Sequence, residues 1–187
     1  MNFPPVWMLG SIFGISEIVL TRARRPAAGD REKDRSSFLV LNLVAWTCVA
    51  LSIAAQSALG FAHIHHAGRF YPAGVAIFAA GVCLRWWSIL VLGRFFTVKV
   101  SISPDHHIVE RGPYRFLRHP SYTGALLAIL GLGICMANWI SLAVILVPPV
   151  FAMCYRIAVE ERALTEFFGD EYRRYSGRTY RLIPFVY

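Results

Sequence analysis

Five apolar runs separated by short polar breaks constrain this chain more than any other feature it contains. Val6–Leu20, Phe38–Leu59, Pro72–Leu92, Ser121–Ala137 and Trp139–Ile157 all read as membrane-spanning segments. The run Phe38–Leu59 has 22 residues, and as a helix it measures roughly 33 Å, enough to cross a bilayer core. Of the 187 residues, 56% are hydrophobic and 16% are charged, against about 25% charged in a typical soluble domain. The expected fold is therefore all-α, a polytopic integral membrane protein of about five transmembrane helices. Three N-terminal spans occupy residues 1–92, and a long loop, a helical hairpin and an amphipathic C-terminal helix occupy residues 93–187.

Charge decides how such a bundle sits. The formal net charge is +8, but a nucleic-acid footprint needs basic residues gathered on one soluble face, and here they stand between spans. Arg22, Arg24, Arg25, Arg31, Lys33 and Arg35 fill the first loop; Arg94, Lys99, Arg111, Arg115 and Arg118 fill the third. By the positive-inside rule both loops are cytoplasmic, which puts the N-terminus outside and the C-terminus inside. The loop Gly60–Phe70 carries Arg69 and three histidines, His63, His65 and His66, without an acidic or cysteine partner, so no metal site is expected there. Cys48, Cys83, Cys135 and Cys154 lie in apolar runs with no CxxC spacing and are expected to be small buried residues. The first run follows Pro4-Pro5 without a basic leader and is followed by arginines, so it reads as a span rather than a cleavable signal. Within it, Gly10 and Gly14 have the spacing that lets helices approach closely, and Glu17 is expected at the interface or paired with an arginine. Arg85, beside Trp86 and Trp87, is expected to snorkel to the membrane surface.

Two polar clusters stand out against this background. One is Lys99–Tyr122, densest at Arg118-His119-Pro120-Ser121-Tyr122; the other is Arg156 with Glu160-Glu161. The last two spans form an antiparallel hairpin turning at Asn138 and loosened by Pro148-Pro149, so the clusters meet at one end. If the fifth helix continues, Arg156 and Glu160 project from one face a turn apart, as a salt bridge or as parts of a site. His106-His107, Tyr114, His119 and Tyr122 gather at the same depth. Beyond them Leu164, Phe167, Phe168, Tyr172 and Tyr175 form an amphipathic pattern. Gly169-Asp170 offers a stop and a fresh N-cap. Such a helix lies on the inner leaflet or folds over the site.

The run Gly112-Pro113-Tyr114-Arg115-Phe116-Leu117-Arg118-His119-Pro120-Ser121-Tyr122-Thr123-Gly124, followed by Glu160-Glu161 and Phe167-Phe168-Gly169-Asp170-Glu171-Tyr172, resembles the isoprenylcysteine carboxyl methyltransferase family. The resemblance covers roughly Lys99 to Pro184. Its RHPxY element is shared with related membrane methyltransferases and, more loosely, with sterol reductases. It implies an integral membrane enzyme that takes S-adenosylmethionine from the cytosol and a lipidated or prenylated acceptor from the bilayer. His106, His107, Ile108, Val109, Tyr114, His119, Pro120, Ser121 and Tyr122 resemble the cofactor-wrapping segment. Glu160 resembles its carboxylate contact, Lys99 a further polar contact, and Arg156 the arginine that handles the acceptor carboxylate. The first three spans show no comparable motif.

Elementary chemistry runs parallel to the resemblance. S-adenosylmethionine needs groups for its amino acid head and apolar walls for its base, which His119, Glu160, Ile108, Val109, Tyr114 and Tyr122 supply. An acceptor carboxylate, with a pKa of about 3.3 to 3.7, is already ionised at neutral pH and needs no base. It needs alignment, which a planar arginine provides, so Arg156 and Glu160 are the expected catalytic pair. A phenolic lipid, a thiol or a phospholipid amine are alternative acceptors, and a sterol-type reductase or a small transporter are alternative activities. No metal and no nucleic acid are implied, and nothing in the chain singles out an oligomeric state.

Overall fold

The computed structural model describes residues 3–23, 31–34, 36–65, 67–93, 100–102 and 107–184. Six helices carry the architecture: α1 (Val6–Ala23), α2 (Ser36–Ala58), α3 (Ala67–Leu92), α4 (Pro120–Cys135), α5 (Trp139–Phe168) and α6 (Asp170–Ser176). Two short strands, β1 (Arg31–Asp34) and β2 (Val100–Ile102), pair antiparallel and bring the first and third loops to the same end of the bundle. That pairing agrees with the charge argument, which assigns both loops to one side. On length and composition, segments Ser36–Ala58, Gly68–Leu92 and Trp139–Phe168 are able to cross a membrane, and Pro120–Cys135 is a shorter apolar helix.

The closest helix pairing is α3 against α4, and glycine makes it. A Cβ added at Gly81 would stand 2.3 Å from the backbone nitrogen of Ala128, and one at Gly124 would stand 2.5 Å from that of Arg85. Gly74 and Gly131 repeat the arrangement one heptad away, with a Cβ at Gly131 only 2.4 Å from the nitrogen of Phe78. Small residues on both partners let the backbones touch, which is how helices gain contact in lipid where burial drives little. Ala128, in the middle of the seam, is wholly buried. The expected close approach at Gly10 and Gly14 does not occur: a Cβ at Gly10 would meet nothing within 4 Å, and one at Gly14 only the Trp46 ring at 3.9 Å. Spacing on one helix is insufficient without matching small residues opposite.

Helices α2 and α5 are joined by side chains instead. Ser52 Oγ donates to the Ser141 carbonyl at 3.2 Å, and Ser141 Oγ donates back to the Ser52 carbonyl at 2.8 Å. Nearby, Gln56 donates to the Met136 carbonyl at 3.0 Å. Asn138, fully buried, caps α5 by accepting from the Ile140 and Ser141 amides at 3.0 Å, and its amide donates to the Leu59 carbonyl at 3.1 Å. A capping asparagine is common in proteins; here the same side chain also ties the hairpin turn to the end of α2. His63 forms a β-bridge with Asn138, so the connection between α2 and α3 and the hairpin turn share the end opposite the ribbon; α3 begins at Ala67, earlier than the expected Pro72.

Several boundaries and environments differ from expectation. Helix α5 does not end at Ile157 but runs unbroken to Phe168, carrying Pro148 and Pro149 within it. Gly169, at φ 55°, ends it and is itself the residue before α6, so Asp170 opens α6 rather than capping it with its side chain. Arg85 does not snorkel: it forms a two-pronged ion pair with Glu17, both contacts 2.6 Å. A carboxylate within reach satisfies the guanidinium without its having to extend to water. Cys48 and Cys135 are buried, whereas Cys83 is exposed and Cys154 half-buried. Sequence alone does not reveal which side of a uniformly apolar helix faces lipid. Lys99, His106 and His66 lie outside the described residues.

Candidate active site

The two polar clusters meet because α4 starts, and α5 nears its end, at the same end of the hairpin. Pro120 opens α4, where its missing N–H costs nothing and its fixed φ suits the first turn. The preceding residues Gly112–Arg115 form a 3₁₀ turn against the end of α3, and residues after α6 return to clasp them. The amides of Arg118 and His119 donate to the carbonyls of Tyr180 (2.7 Å) and Arg181 (3.1 Å), while the Tyr180 amide donates to the Phe116 carbonyl at 2.9 Å. Thr123 Oγ1 donates to the Leu182 carbonyl at 2.7 Å. The motif is thus held from both sides by backbone.

At its centre is a chain of hydrogen bonds across three helices. Arg156, 3% exposed, donates from Nη1 to Ser37 Oγ at 2.9 Å and from Nε to Tyr122 Oη at 2.8 Å. Tyr122 donates in turn to Glu160 Oε2 at 3.0 Å. Of the two readings open for Arg156 and Glu160, a direct salt bridge does not form; the Tyr122 phenol stands between the two charged groups and joins them. The Phe38 ring lies 5.7 Å from the guanidinium carbon, a cation–π arrangement. Glu160 Oε1 takes no hydrogen bond among the described residues.

The two acids of the Glu160-Glu161 pair have separate duties. Glu161 turns away toward Arg118 Nε (2.9 Å), Arg181 Nε (2.9 Å) and His119 Nε2 (3.3 Å). Three basic groups around one carboxylate bind loop, helix and tail together, so Glu161 is the knot of the scaffold. The Arg118 contact is an ion pair without hydrogen-bond geometry, and its Nη1 donates to the Ser176 carbonyl at 2.7 Å. Buried against Glu161, His119 still presents its ring 5.7 Å from that of Tyr122. Ser121 receives Arg85 Nη1 on its hydroxyl at 3.0 Å and on its carbonyl at 3.1 Å, which links the Glu17–Arg85 pair to the start of α4.

Arg156, Tyr122, Glu160, His119, Ser121 and Arg85 line one cavity of about 970 Å³ bordered by α1, α2, α3, α4, α5 and α6. Its polar end carries His107, Tyr114, His119, Tyr122, Arg156 and Glu160; its apolar body runs along Ile129, Leu132, Ile145 and Met153 toward Gln56. Ile108, Val109 and Ser121 also line it, while Pro120 is buried in the turn behind. The tail folds over the polar end: Tyr175 Oη donates to the Tyr114 carbonyl at 2.9 Å. Burial is the largest cause that lifts the Tyr114, Tyr172 and Tyr175 phenols above their ordinary range, so all three are neutral donors.

Sequence reasoning missed Ser37 and Phe38. They stand at the first turn of α2, far along the chain from Arg156, and no local spacing announces the contact. The seam that pairs α2 with α5 is the signal, and it is visible only in three dimensions.

Comparison with known proteins follows from this geometry. The sequence profile described as the isoprenylcysteine carboxyl methyltransferase (ICMT) family matches residues 73–166. Protein-S-isoprenylcysteine O-methyltransferase B of Arabidopsis thaliana is 35% identical over 115 residues, covering 60% of this chain and 58% of that protein. The Homo sapiens protein-S-isoprenylcysteine O-methyltransferase is 26% identical, covering 94% of this chain and 62% of that protein. A solved eukaryotic intramembrane Ras methyltransferase, ICMT, superposes with a TM-score of 0.65 at 22% identity, over 97% of this chain and 65% of that one. The chain therefore spans less than two thirds of the length of each of these relatives, and the structural likeness establishes the fold.

Proposed function

Because the chain belongs to the isoprenylcysteine carboxyl methyltransferase family, we propose that it transfers a methyl group to the carboxylate of a lipidated acceptor, by default isoprenylcysteine. The observation that carries this reading is the Ser37–Arg156–Tyr122–Glu160 chain at the polar end of an otherwise apolar cavity. A buried guanidinium facing such a cavity suits an amphipathic acid: the lipid takes the apolar body and the carboxylate takes Arg156.

The donor set fits S-adenosylmethionine. Glu160 offers a carboxylate oxygen without a hydrogen bond from the described residues, suited to an ammonium or a ribose hydroxyl. Ile108, Val109 and Tyr114 offer walls for a base, and His107, His119 and Ser121 offer polar edges; Lys99 and His106 belong to the same proposed set. When bound, S-adenosylmethionine supplies an electrophilic methyl group on a sulfonium. Arg156 binds and orients the acceptor carboxylate, which is ionised at neutral pH and requires no proton removal. Tyr122 holds Arg156 and Glu160 at fixed separation, so the two subsites keep their alignment; proximity of this kind is a large part of what such a site contributes. Arg156 is itself buried, 3% exposed, and low solvent exposure strengthens its attraction for a carboxylate.

The protein is an integral membrane protein, and the positive-inside rule puts the polar end, the basic loops and the C-terminus on the cytoplasmic side. The whole chain acts as one catalytic unit. The test is calorimetric binding of S-adenosylhomocysteine to detergent-purified protein, with radiolabelled methyl transfer to a prenylated cysteine. Glu160→Gln should weaken S-adenosylhomocysteine binding about tenfold, roughly 1.4 kcal/mol. A wild-type protein that is folded yet binds none would sink the methyltransferase reading.

A further inference from the structure

Among the described residues, two buried side-chain polar atoms have no hydrogen-bond partner, Arg118 Nε and Tyr172 Oη. The first is accounted for by its ion pair with Glu161. The second is not. Tyr172 is 4% exposed, and a buried hydroxyl without a partner is costly enough that native proteins rarely keep one unless something else completes it.

Its surroundings say what that something is. Tyr172 lines the same cavity as Glu160 and Arg156. It sits on α6, with its ring 6.0 Å from that of Tyr175. The Tyr175 hydroxyl donates to the Tyr114 carbonyl, which brings Tyr114 beside the Tyr172–Tyr175 pair, and Val109, Leu164 and Phe168 line the same cavity, which therefore offers flat aromatic and apolar walls. Burial above all, and then the charges of Glu161 and Glu160, disfavour the phenolate, so the hydroxyl is held neutral and able to donate. A planar base fits such walls, and a lone donor at their edge matches a ring nitrogen or a ribose oxygen.

We propose that Tyr172 is a nucleoside contact, its hydroxyl donating to an acceptor atom of an adenine nucleoside held in the aromatic corner beneath α6. This rests on the methyltransferase reading and extends its base-binding walls by one residue, Tyr172, on the C-terminal helix α6. The corner belongs to the nucleoside, and Glu160, on α5 one turn beyond Arg156, serves the part of the ligand nearer Arg156.

The test is Tyr172→Phe in the full-length, detergent-purified protein. Binding of S-adenosylhomocysteine and of 5′-methylthioadenosine, which lacks the amino acid head, is measured by calorimetry alongside thermal unfolding without ligand. The expected result is about a tenfold loss of affinity for both ligands, with an unchanged or raised unfolding temperature because the orphaned hydroxyl is gone. Unchanged affinity for both overturns the inference while leaving methyl transfer intact, and so does a loss confined to S-adenosylhomocysteine. A wild-type protein that binds neither ligand removes the underlying reading, and the inference with it. A Tyr172→Phe protein that loses affinity only because it unfolds is distinguished by its melting curve, and the smaller Tyr172→Leu variant, which discards the ring as well, must then bind worse than Phe for the aromatic corner to stand.

Discussion

Glycines border both the α3–α4 seam and the α1 wall of the cavity, yet the two regions use them in opposite ways. In the seam, Gly81 and Gly124 face each other's backbone and any Cβ would collide; on α1, Gly10 faces open space. The same residue type therefore marks the tightest contact and one of the loosest walls. What separates them is the partner: seven-residue spacing recurs on both helices of the seam, Gly74 and Gly81 against Gly124 and Gly131, whereas nothing small stands opposite Gly10 and Gly14. The seam is scaffold, and the α1 side borders the cavity.

Substitution should break the two regions differently. The largest effect belongs to Gly124→Leu, which forces apart backbones already in contact and should cost more than about 3 kcal/mol by overpacking. Loss of the monodisperse folded peak on size exclusion checks it, and a well-folded variant would mean that the seam is not the scaffold. Next comes Arg156→Ala on the cavity side, expected to lower methyl transfer at least about 100-fold, roughly 2.7 kcal/mol of barrier. S-adenosylhomocysteine affinity should stay within a few-fold; a matching collapse of that affinity would reassign Arg156 from the acceptor to the cofactor. The smallest is Gly10→Ala, which meets no atom and replaces a poor helix former, so stability should hold or rise by up to about 1 kcal/mol. A clear drop in unfolding temperature would show that α1 packs more tightly than its geometry implies.

The same contrast explains what was legible in the sequence. Apolar runs, basic loops and the hairpin around Asn138 are local and additive signals, and they delivered the bundle and the meeting of its two polar clusters. The residues that make contact over long separations were not legible: Ser37 with Arg156, Glu17 with Arg85, and Tyr122 between two charges. Gly10 and Gly14 misled because a close-approach motif is a property of two surfaces, and a single helix displays only one. Glu160-Glu161 read as a unit, whereas neighbouring positions on a helix point about 100° apart and face different partners.

The reciprocal bonds between Ser52 and Ser141 span 89 residues of chain, and that distance sets an order of events during synthesis. Helix α2 reaches the bilayer long before α5 exists, carrying Ser52 and Gln56 without the partners they have in the finished fold. Polar groups in hydrocarbon seek company, so α2 remains a receptive surface until α5 arrives. Because Ser37 and Arg156 lie on the same pair of helices, the docking step that quiets this surface also brings the Arg156 guanidinium onto Ser37.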